Sequence, residues 1–312
     1  MTRPGTASLR GAGAVQVAAQ AKVNLRLRIL AREASGFHQI ETLVLRLDLA
    51  DTVRVRRTTS ARALDVTGDA DPAAIGPTER NLAWRAAVAY CDIAGWSDGF
   101  AIELEKRIPI GGGLGGGSAD AGAVLRAMDA MSPKPLGEAA LLRIAFTLGA
   151  DVPFLASSHA YALAWGRGER LLALKPPSRR TVVLVVPAFG VNTREAYGWL
   201  ESPRATSVPV GDAAGMLKPA ALADWKRLLP LAVNDFEAVV ITRHPVIAEL
   251  LDGLRGMGCA PAMMSGSGSV VFGVLPGLSS VGFGTPAGEE PPPVRGLVTT
   301  SADRVEPVVV LD

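Results

Sequence analysis

The chain has 312 residues, of which 48% are hydrophobic and 20% are charged, and its net charge is +2. This length allows two domains and a large core. The balanced charge argues against nucleic acid or a membrane surface as a partner, and no segment reaches the roughly twenty apolar residues of a membrane span. Cys91 and Cys259 fit no metal or redox spacing, so we expect buried thiols in a cytoplasmic protein.

The first half of the chain is predicted to alternate strands with helices after a disordered lead-in that ends near residue 13. Apolar and polar residues alternate in several segments, which is typical of half-buried strands. The strands predicted here are 22–29, 43–49, 53–55, 64–66 and 100–104, followed by a hairpin over 161–174 that turns at 166–168. The helices predicted from apolar residues at helical spacing are 81–94, 119–131 and 138–148.

The second half is predicted to open with a β-branched strand over 181–186. A loop near 202–215 is rich in proline and glycine and is followed by a pair of helices over 233–242 and 246–255. The last clear elements are a strand, the loop 265–268 and a strand over 269–274. We therefore predict an α+β fold with domains at 14–176 and 177–312, because the elements lack the regular rhythm of a doubly wound sheet.

Residues 109–119 form the most informative segment, since six of the seven residues from 111 to 117 are glycine. A glycine-lined loop that opens onto a helix directs several backbone N–H groups at one point, which suits a polyphosphate. The segment has neither the Gly-Lys-Ser/Thr ending of the common phosphate loop nor the dinucleotide glycine spacing. A flexible linker is the alternative, which the position between a strand and a helix disfavours.

Two charged residues are candidates for catalysis. Lys22 and Asn24 share one face of their predicted strand, although a lone lysine there is also compatible with an ordinary solvated side chain. Asp151 follows a helix that ends in glycine. Its carboxylate is equally suited to capping the next helix and to accepting a hydroxyl proton in a cleft.

Two loops are candidates for binding. Phe37 and His38 lie in the loop between the first two strands, where flat rings can stack on a nucleobase; a core position for Phe37 is the alternative. The loop Ser265, Gly266, Ser267 and Gly268 allows close backbone approach and fits a second wall around phosphates. A tight β-turn explains the same four residues.

In their order along the chain these motifs resemble those of the GHMP kinase superfamily. The superfamily has a lysine-bearing N-terminal strand, a Pro-x-x-x-Gly-Leu glycine loop before a helix and a late glycine-rich loop, and the resemblance covers roughly residues 17–274. It implies a two-domain fold, with a ribosomal S5 domain 2-like ATP-binding domain followed by a ferredoxin-like domain. The active site is then expected between the two domains.

The resemblance also implies the chemistry of the site. Members of this kind use ATP with Mg²⁺ to phosphorylate a small molecule, and the match is closest to those whose substrate is a cytidine diphosphate alcohol. It implies that Asp151 is the base on the acceptor hydroxyl with Lys22 beside it, and that Asn24, Phe37, His38 and Tyr197 bind the substrate. The residues expected to hold ATP are Pro109, Ile110, Gly111, Gly112, Gly113, Leu114, Gly115, Gly116, Gly117, Ser118 and Ala119. No metal ligand among the side chains, no nucleic acid and no membrane partner is expected, and the protein is expected to be a monomer or homodimer.

Three positions depart from the family pattern. Phe37 stands where tyrosine is more frequent, Ala119 replaces a frequent second serine, and residues 276–293 lack the helical pattern that members usually show there. Two alternatives stay open: a GHMP kinase for mevalonate, homoserine or a sugar, and an inactive nucleotide-binding homologue.

Overall fold

The computed structural model describes residues 9–69, 75–200, 218–280 and 294–311. Within these ranges, helices pack against two β-sheets. The strands are β1 (Ala14–Arg32), β2 (His38–Thr58), β3 (Arg62–Gly68), β4 (Gly99–Lys106), β5 (Tyr161–Gly166), β6 (Arg170–Ala173), β7 (Thr181–Pro187), β8 (Val233–Asn234), β9 (Ala262–Met264), β10 (Val271–Val274), β11 (Val294–Thr300) and β12 (Val309–Val310). The α-helices are α1 (Leu82–Ala94), α2 (Gly116–Met131), α3 (Glu138–Leu148), α4 (Val152–Ala156), α5 (Thr193–Leu200), α6 (Trp225–Leu228), α7 (Glu237–Arg243) and α8 (Val246–Gly256).

The first sheet is built on two long antiparallel strands, β1 and β2, which pair from Ala14 opposite Arg56 to Arg32 opposite His38. Its order is β12-β1-β2-β4-β3, with β5 and β6 added beside β2 and with β8 parallel to β1. Helix α2 buries its Ala121, Val124, Leu125 and Met128 stripe in the core over this sheet. The sheet thereby fixes the segment that leads from β4 into the glycine loop.

The second sheet is antiparallel, with the order β11-β7-β10-β9. A core of its own forms between this sheet and helices α5, α7 and α8. The mixed architecture agrees with the predicted α+β class. The predicted boundary at residues 176 and 177 falls between β6 and β7 and stays a prediction, because β8 and β12 return from the second half to the first sheet.

Several elements lie where the sequence pattern indicated. Helices α1 and α3 are confirmed, as is the hairpin of β5 and β6. Asn81 explains the start of α1, because its side chain accepts the Ala83 N–H at 2.9 Å, and Gly95 ends the helix at φ 63°.

Other boundaries were predicted wrongly. The segments 43–49 and 53–55 are one strand, the helix after the glycine loop begins at Gly116 rather than 119, and the strand predicted from 269 begins at Val271. The helix predicted from 233 begins at Glu237, because Val233 and Asn234 pair with β1. Helix α4 and strands β11 and β12 were not predicted. The predictions for residues 1–8, 202–215 and 281–293 lie outside the described residues.

Candidate active site

The buried Lys22 forms an ion pair with the partly exposed Asp151. The Lys22 Nζ lies 3.3 Å from Asp151 Oδ2, and the lysine side chain is 3% exposed whereas the aspartate is 39% exposed. The solvated alternative for Lys22 is therefore wrong. Lys22 Nζ also donates to Asn24 Oδ1 at 2.7 Å, and the Asn24 amide donates to Thr42 at 2.8 Å, so the ammonium is held on the β1 side.

Asp151 occupies the turn between α3 and α4. Gly149 ends α3, and Asp151 directly precedes the first residue of α4. Among the described residues the Asp151 side chain makes no capping hydrogen bond to α4, so its carboxylate stays available to the cleft. This geometry favours the cleft interpretation of Asp151 over the capping one.

The two glycine loops interlock beside this ion pair. Ser265 Oγ donates to the Gly113 carbonyl at 2.9 Å, and the Val270 N–H donates to the Gly112 carbonyl at 3.1 Å. Gly113 has φ +82°, and a Cβ there would lie 2.1 Å from the Ser265 carbonyl oxygen. Gly266 also lies near Gly113 and Lys22, since a Cβ there would lie 3.3 Å from Gly113 Cα and 3.6 Å from Lys22 Nζ. The late loop is thus a turn, as the simpler interpretation held, and it also packs on the first loop.

A cavity of about 200 Å³ runs along the first glycine loop. Residues from Pro109 to Gly117 line it, whereas Ala119 is 1% exposed and packs into the core, so its side chain does not face this cavity. Other residues that were not predicted from the sequence line the same cavity, among them Arg80, Asn81, Leu82, Lys106 and Asp120.

Lys106 and Asp120 belong to a buried charge cluster beneath the glycine loop. Lys106 Nζ contacts Asp120 at 2.6 Å and also Asp51, whose other oxygen accepts the Ile108 N–H at 2.8 Å. Burial raises the pKa of Asp120 to about 8, although Lys106 acts in the opposite direction. Asp120 Oδ1 is buried and has no hydrogen-bond partner among the described residues. Two carboxylates therefore share one ammonium next to the proposed phosphate site.

Two aromatic residues of the predicted base site stack on each other, whereas the third contacts an arginine. The rings of His38 and Tyr197 stack with centroids 4.5 Å apart and an interplanar angle of 12°. Phe37 is 58% exposed, which excludes a core position, and the Arg167 guanidinium lies 4.2 Å from its ring centroid. Arg167 is itself held by Glu33, at 3.1 Å from Nε to Oε2.

A second cavity of about 850 Å³ adjoins these rings. Its lining includes the rings of Phe37, His38 and Tyr197 and, just before Asp151, Gly149 and Ala150. Three arginines that were not predicted from the sequence also line it: Arg32, Arg167 and Arg194. Burial, and to a lesser extent the Asp151 carboxylate, raises the pKa of Tyr197 to about 12, so Asp151 lies near this ring. The ion pair therefore lies between a glycine-lined cleft and an aromatic cavity.

Of the residues that were not predicted, Lys106 has a signal in the sequence and Arg167 has little. Lys106 is one of only six lysines in the chain and lies three residues before Pro109, so its rarity and position were visible. Arg167 occupies the turn between two glycines, but its pairing with Glu33 joins residues more than 130 positions apart and has no local pattern.

The chain matches two family models. The model of the GHMP kinases N terminal domain covers residues 81–160, and that of the GHMP kinases C terminal covers residues 216–281. Within the described residues no helix is long and apolar enough to cross a membrane.

Similar proteins are found among curated sequences and solved structures. The chain is 34% identical to 4-diphosphocytidyl-2-C-methyl-D-erythritol kinase of Heliobacterium modesticaldum, over 94% of this chain and 97% of the relative. A crystal structure of 4-(cytidine 5'-diphospho)-2C-methyl-D-erythritol kinase superposes with a TM-score of 0.68 at 32% identity, covering 92% of this chain and 98% of that one. Homoserine kinase from Cytophaga hutchinsonii shares the fold, with a TM-score of 0.66 at 18% identity and full coverage of both chains.

Proposed function

The chain belongs to the 4-diphosphocytidyl-2-C-methyl-D-erythritol kinases of the GHMP kinase family, and we propose that it transfers the γ-phosphate of ATP to the 2-hydroxyl of that substrate. The products are the 2-phosphate and ADP, and the reaction belongs to the non-mevalonate route to isoprenoid precursors. The observation that carries this proposal is the ion pair of the buried Lys22 with the partly exposed Asp151, between the glycine-lined cleft and the aromatic cavity.

Asp151 is proposed as the base and Lys22 as its partner. An aspartate of ordinary basicity is a poor base for an alcohol, but it can orient the hydroxyl and accept its proton late, once bonding to phosphorus has acidified it. Lys22 is held by Asn24 on the β1 side, so its charge stays next to the reacting groups. An ammonium at this position also stabilises the negative charge on the transferring phosphoryl group.

The two glycine loops are proposed to cradle the phosphates of ATP. Their backbone N–H groups and the start of α2 offer many donors with no side chains in the way. The resemblance to ATP-dependent kinases implies Mg²⁺ as well, which would be held largely by ATP oxygens. Bound in this way, Mg²⁺ would neutralise charge on the β- and γ-phosphates.

The aromatic cavity is proposed to bind the cytidine end of the substrate. Phe37, His38 and Tyr197 offer flat rings, and stacking on such rings contributes about 1–3 kcal/mol per base. Asn24 would lie beside the methylerythritol part, because its amide is next to Lys22. Since Phe37 has no hydroxyl, it contributes stacking but no hydrogen bond.

The two alternatives explain fewer of these features. A mevalonate, homoserine or sugar substrate has no base to fill a cavity lined by four aromatic rings, those of Phe37, His38, Phe146 and Tyr197. An inactive nucleotide-binding homologue has no need for a buried lysine paired with a carboxylate at 3.3 Å. We also propose a cytoplasmic enzyme that acts as a monomer or homodimer.

The test is a panel of acceptors. The protein is incubated with Mg-ATP and, separately, with 4-diphosphocytidyl-2-C-methyl-D-erythritol, mevalonate, homoserine or galactose, and ADP release is measured. We expect only the cytidine diphosphate alcohol to stimulate release. Stimulation by another acceptor alone would assign the site to that substrate, and stimulation by none would support the inactive homologue.

A further inference from the structure

Arg46 is a buried arginine that lies opposite Lys22 in the β1–β2 pairing. The Arg46 side chain is 1% exposed, although arginine is almost never fully buried without a partner. Its guanidinium donates to four main-chain carbonyls. These are Phe154, Leu155 and Ser157, from Nη2 at 2.9, 3.0 and 3.1 Å, and His159, from Nε at 3.0 Å.

Two of these acceptors belong to the last turn of α4 (Val152–Ala156). The final carbonyls of a helix have no partner within the helix, and a cation at that end is also favoured by the helix dipole. Burial lowers the pKa of Arg46 to about 9, so the guanidinium still carries its charge near neutral pH. Ser157 also caps this end, since its Oγ donates to the Phe154 carbonyl at 2.7 Å, and Arg46 adds hydrogen bonds to the Phe154 and Leu155 carbonyls together with a positive charge.

Helix α4 is short, and this connects its two ends mechanically. Five residues span roughly 7.5 Å, so a displacement of the C-terminal end is transmitted to the N-terminal end. Asp151 directly precedes that N-terminal end, 3.3 Å from Lys22. Because Lys22 and Arg46 are cross-strand neighbours, the same pair of strands holds both ends of α4.

Glycines enclose the other sides of the same segment. A Cβ at Gly122 of α2 would lie 2.5 Å from the Leu155 backbone, and one at Gly168 would lie 2.5 Å from the Ala150 carbonyl oxygen. Helix α4 is thus packed closely against α2, and the turn that precedes it is packed against the β5–β6 turn. Arg46 adds polar contacts at the C-terminal end of α4.

We propose that Arg46 is a positioning residue for the phosphoryl transfer: by anchoring the C-terminal carbonyls of α4 it holds Asp151 at the distance from Lys22 at which the carboxylate meets the acceptor hydroxyl. This inference rests on the proposed role of Asp151. It adds a residue that touches neither substrate nor phosphate.

The experiment compares Arg46→Met and Arg46→Lys with the wild type in the full-length protein. We expect Arg46→Met to lower kcat at least tenfold while the dissociation constant for ATP changes by less than about threefold, because a misplaced catalytic group costs turnover rather than nucleotide affinity. Arg46→Lys should give an intermediate kcat, since an ammonium keeps the charge but lacks the planar fork. All rates are measured well below the unfolding temperature and per folded molecule.

Val53→Ala is the matched control for lost stability. Val53 lies on the same strand, is fully buried and belongs to the core rather than to the contacts of Arg46. We expect this variant to unfold at a lower temperature while keeping kcat per folded molecule within about twofold. A folded Arg46→Met with kcat within about twofold of wild type overturns the inference, as does an equal loss of kcat in Val53→Ala. If Arg46→Met does not fold, a folded Arg46→Lys with wild-type kcat overturns it.

The double variant with Asp151→Asn separates the two proposals. If Arg46 acts through Asp151, Arg46→Met causes little further loss of the residual turnover of Asp151→Asn. Additive losses would show that Arg46 acts by another route. If Asp151→Asn alone keeps normal turnover, the proposed role of Asp151 is wrong; if it loses turnover and Arg46→Met does not, only the inference on Arg46 is wrong.

Discussion

The two ends of the site differ in how closely their geometry already matches what each of them is proposed to bind. At the phosphate end, the glycine loops are in contact, and Lys22 is fixed by both Asp151 and Asn24. At the base end, His38 and Tyr197 stack on each other with centroids 4.5 Å apart. A base between two rings needs them roughly 7 Å apart, twice an ordinary carbon contact, so it cannot enter between these rings as they stand.

This difference follows from what each end must do. Charge stabilisation is effective when the donors are already oriented, because no reorganisation is then needed during the reaction. Base recognition tolerates rings that pack on one another until the substrate separates them, at a cost in affinity rather than in rate. The phosphate end should therefore be sensitive in kcat, and the base end in KM.

The largest effect is expected from Asp151→Asn, which keeps the shape of the side chain but removes the base. Loss of general-base assistance lowers kcat by about 10²- to 10⁴-fold. The dissociation constant for ATP should change little, because the glycine loops remain in place. Steady-state kinetics and calorimetric titration with ATP measure the two quantities, and near-normal turnover would contradict the assignment of Asp151.

The preformed contact between the glycine loops is tested by Gly113→Ala. A Cβ at Gly113 would lie 2.1 Å from the Ser265 carbonyl, so the loops must separate, and a displacement of about 1 Å can cost about 10²-fold in kcat/KM for ATP. Gly258→Ala is the control, because Gly258 has the same φ of +82° but no atom within 4 Å of the added Cβ. It should lower the unfolding free energy by about 1 kcal/mol and leave kcat/KM unchanged. Equal effects of the two variants would mean that backbone strain, and not loop contact, limits ATP binding.

The phosphate end was more accessible to sequence reasoning than the base end. The glycine loop lies in one short segment with a recognisable pattern. The role of Lys22 was implied only by the resemblance to a kinase family, because a lone lysine on a strand is also compatible with a solvated side chain. The loop's contact with Ser265 joins residues 152 positions apart, so only the order of the motifs pointed to it. The mutual stacking of His38 and Tyr197 depends on side-chain orientation, about which periodicity contains no information.

The base end is tested by Tyr197→Ala. If the ring stacks on the substrate, its loss raises KM for the cytidine diphosphate alcohol by about 5- to 150-fold, equivalent to 1–3 kcal/mol, with KM for ATP unchanged. Tyr197→Phe is the control, since it keeps the ring and its contact with His38 and should remain near wild type. A fall in KM for Tyr197→Ala would show that the ring only occupies the cavity and competes with the base.

Helix α4 shows why some elements escape sequence-based prediction. Five residues are too short for a helical period, and Pro153 reads as a break, although proline is tolerated in the first turn of a helix. Arg46 was equally hidden, because an arginine in an apolar strand looks like an interruption until its four carbonyl acceptors come together in three dimensions. Strand β8 has only two residues, and its pairing with β1 determines it more than its own composition does.

The last prediction concerns the charge cluster beneath the phosphate end, and its readout is stability rather than turnover. Among the described residues Asp120 there lacks a partner for one oxygen. Its folded-state pKa of about 8 exceeds the usual 3.8, so between these values the folded protein binds a proton that the unfolded chain does not. Wild-type stability should therefore fall as the pH rises through this window, by at most about 1.4 kcal/mol per pH unit, and level off above about pH 8. Asp120→Asn has no carboxyl group to titrate at this position, so its stability should not fall in the same way. Its unfolding temperature should therefore rise relative to that of wild type as the pH increases. Thermal unfolding between about pH 4 and about pH 8 measures this difference in unfolding temperature. Asp252→Asn, at an exposed position, controls for the change in net charge. Parallel curves for wild type and Asp120→Asn would show that Lys106 keeps Asp120 ionised.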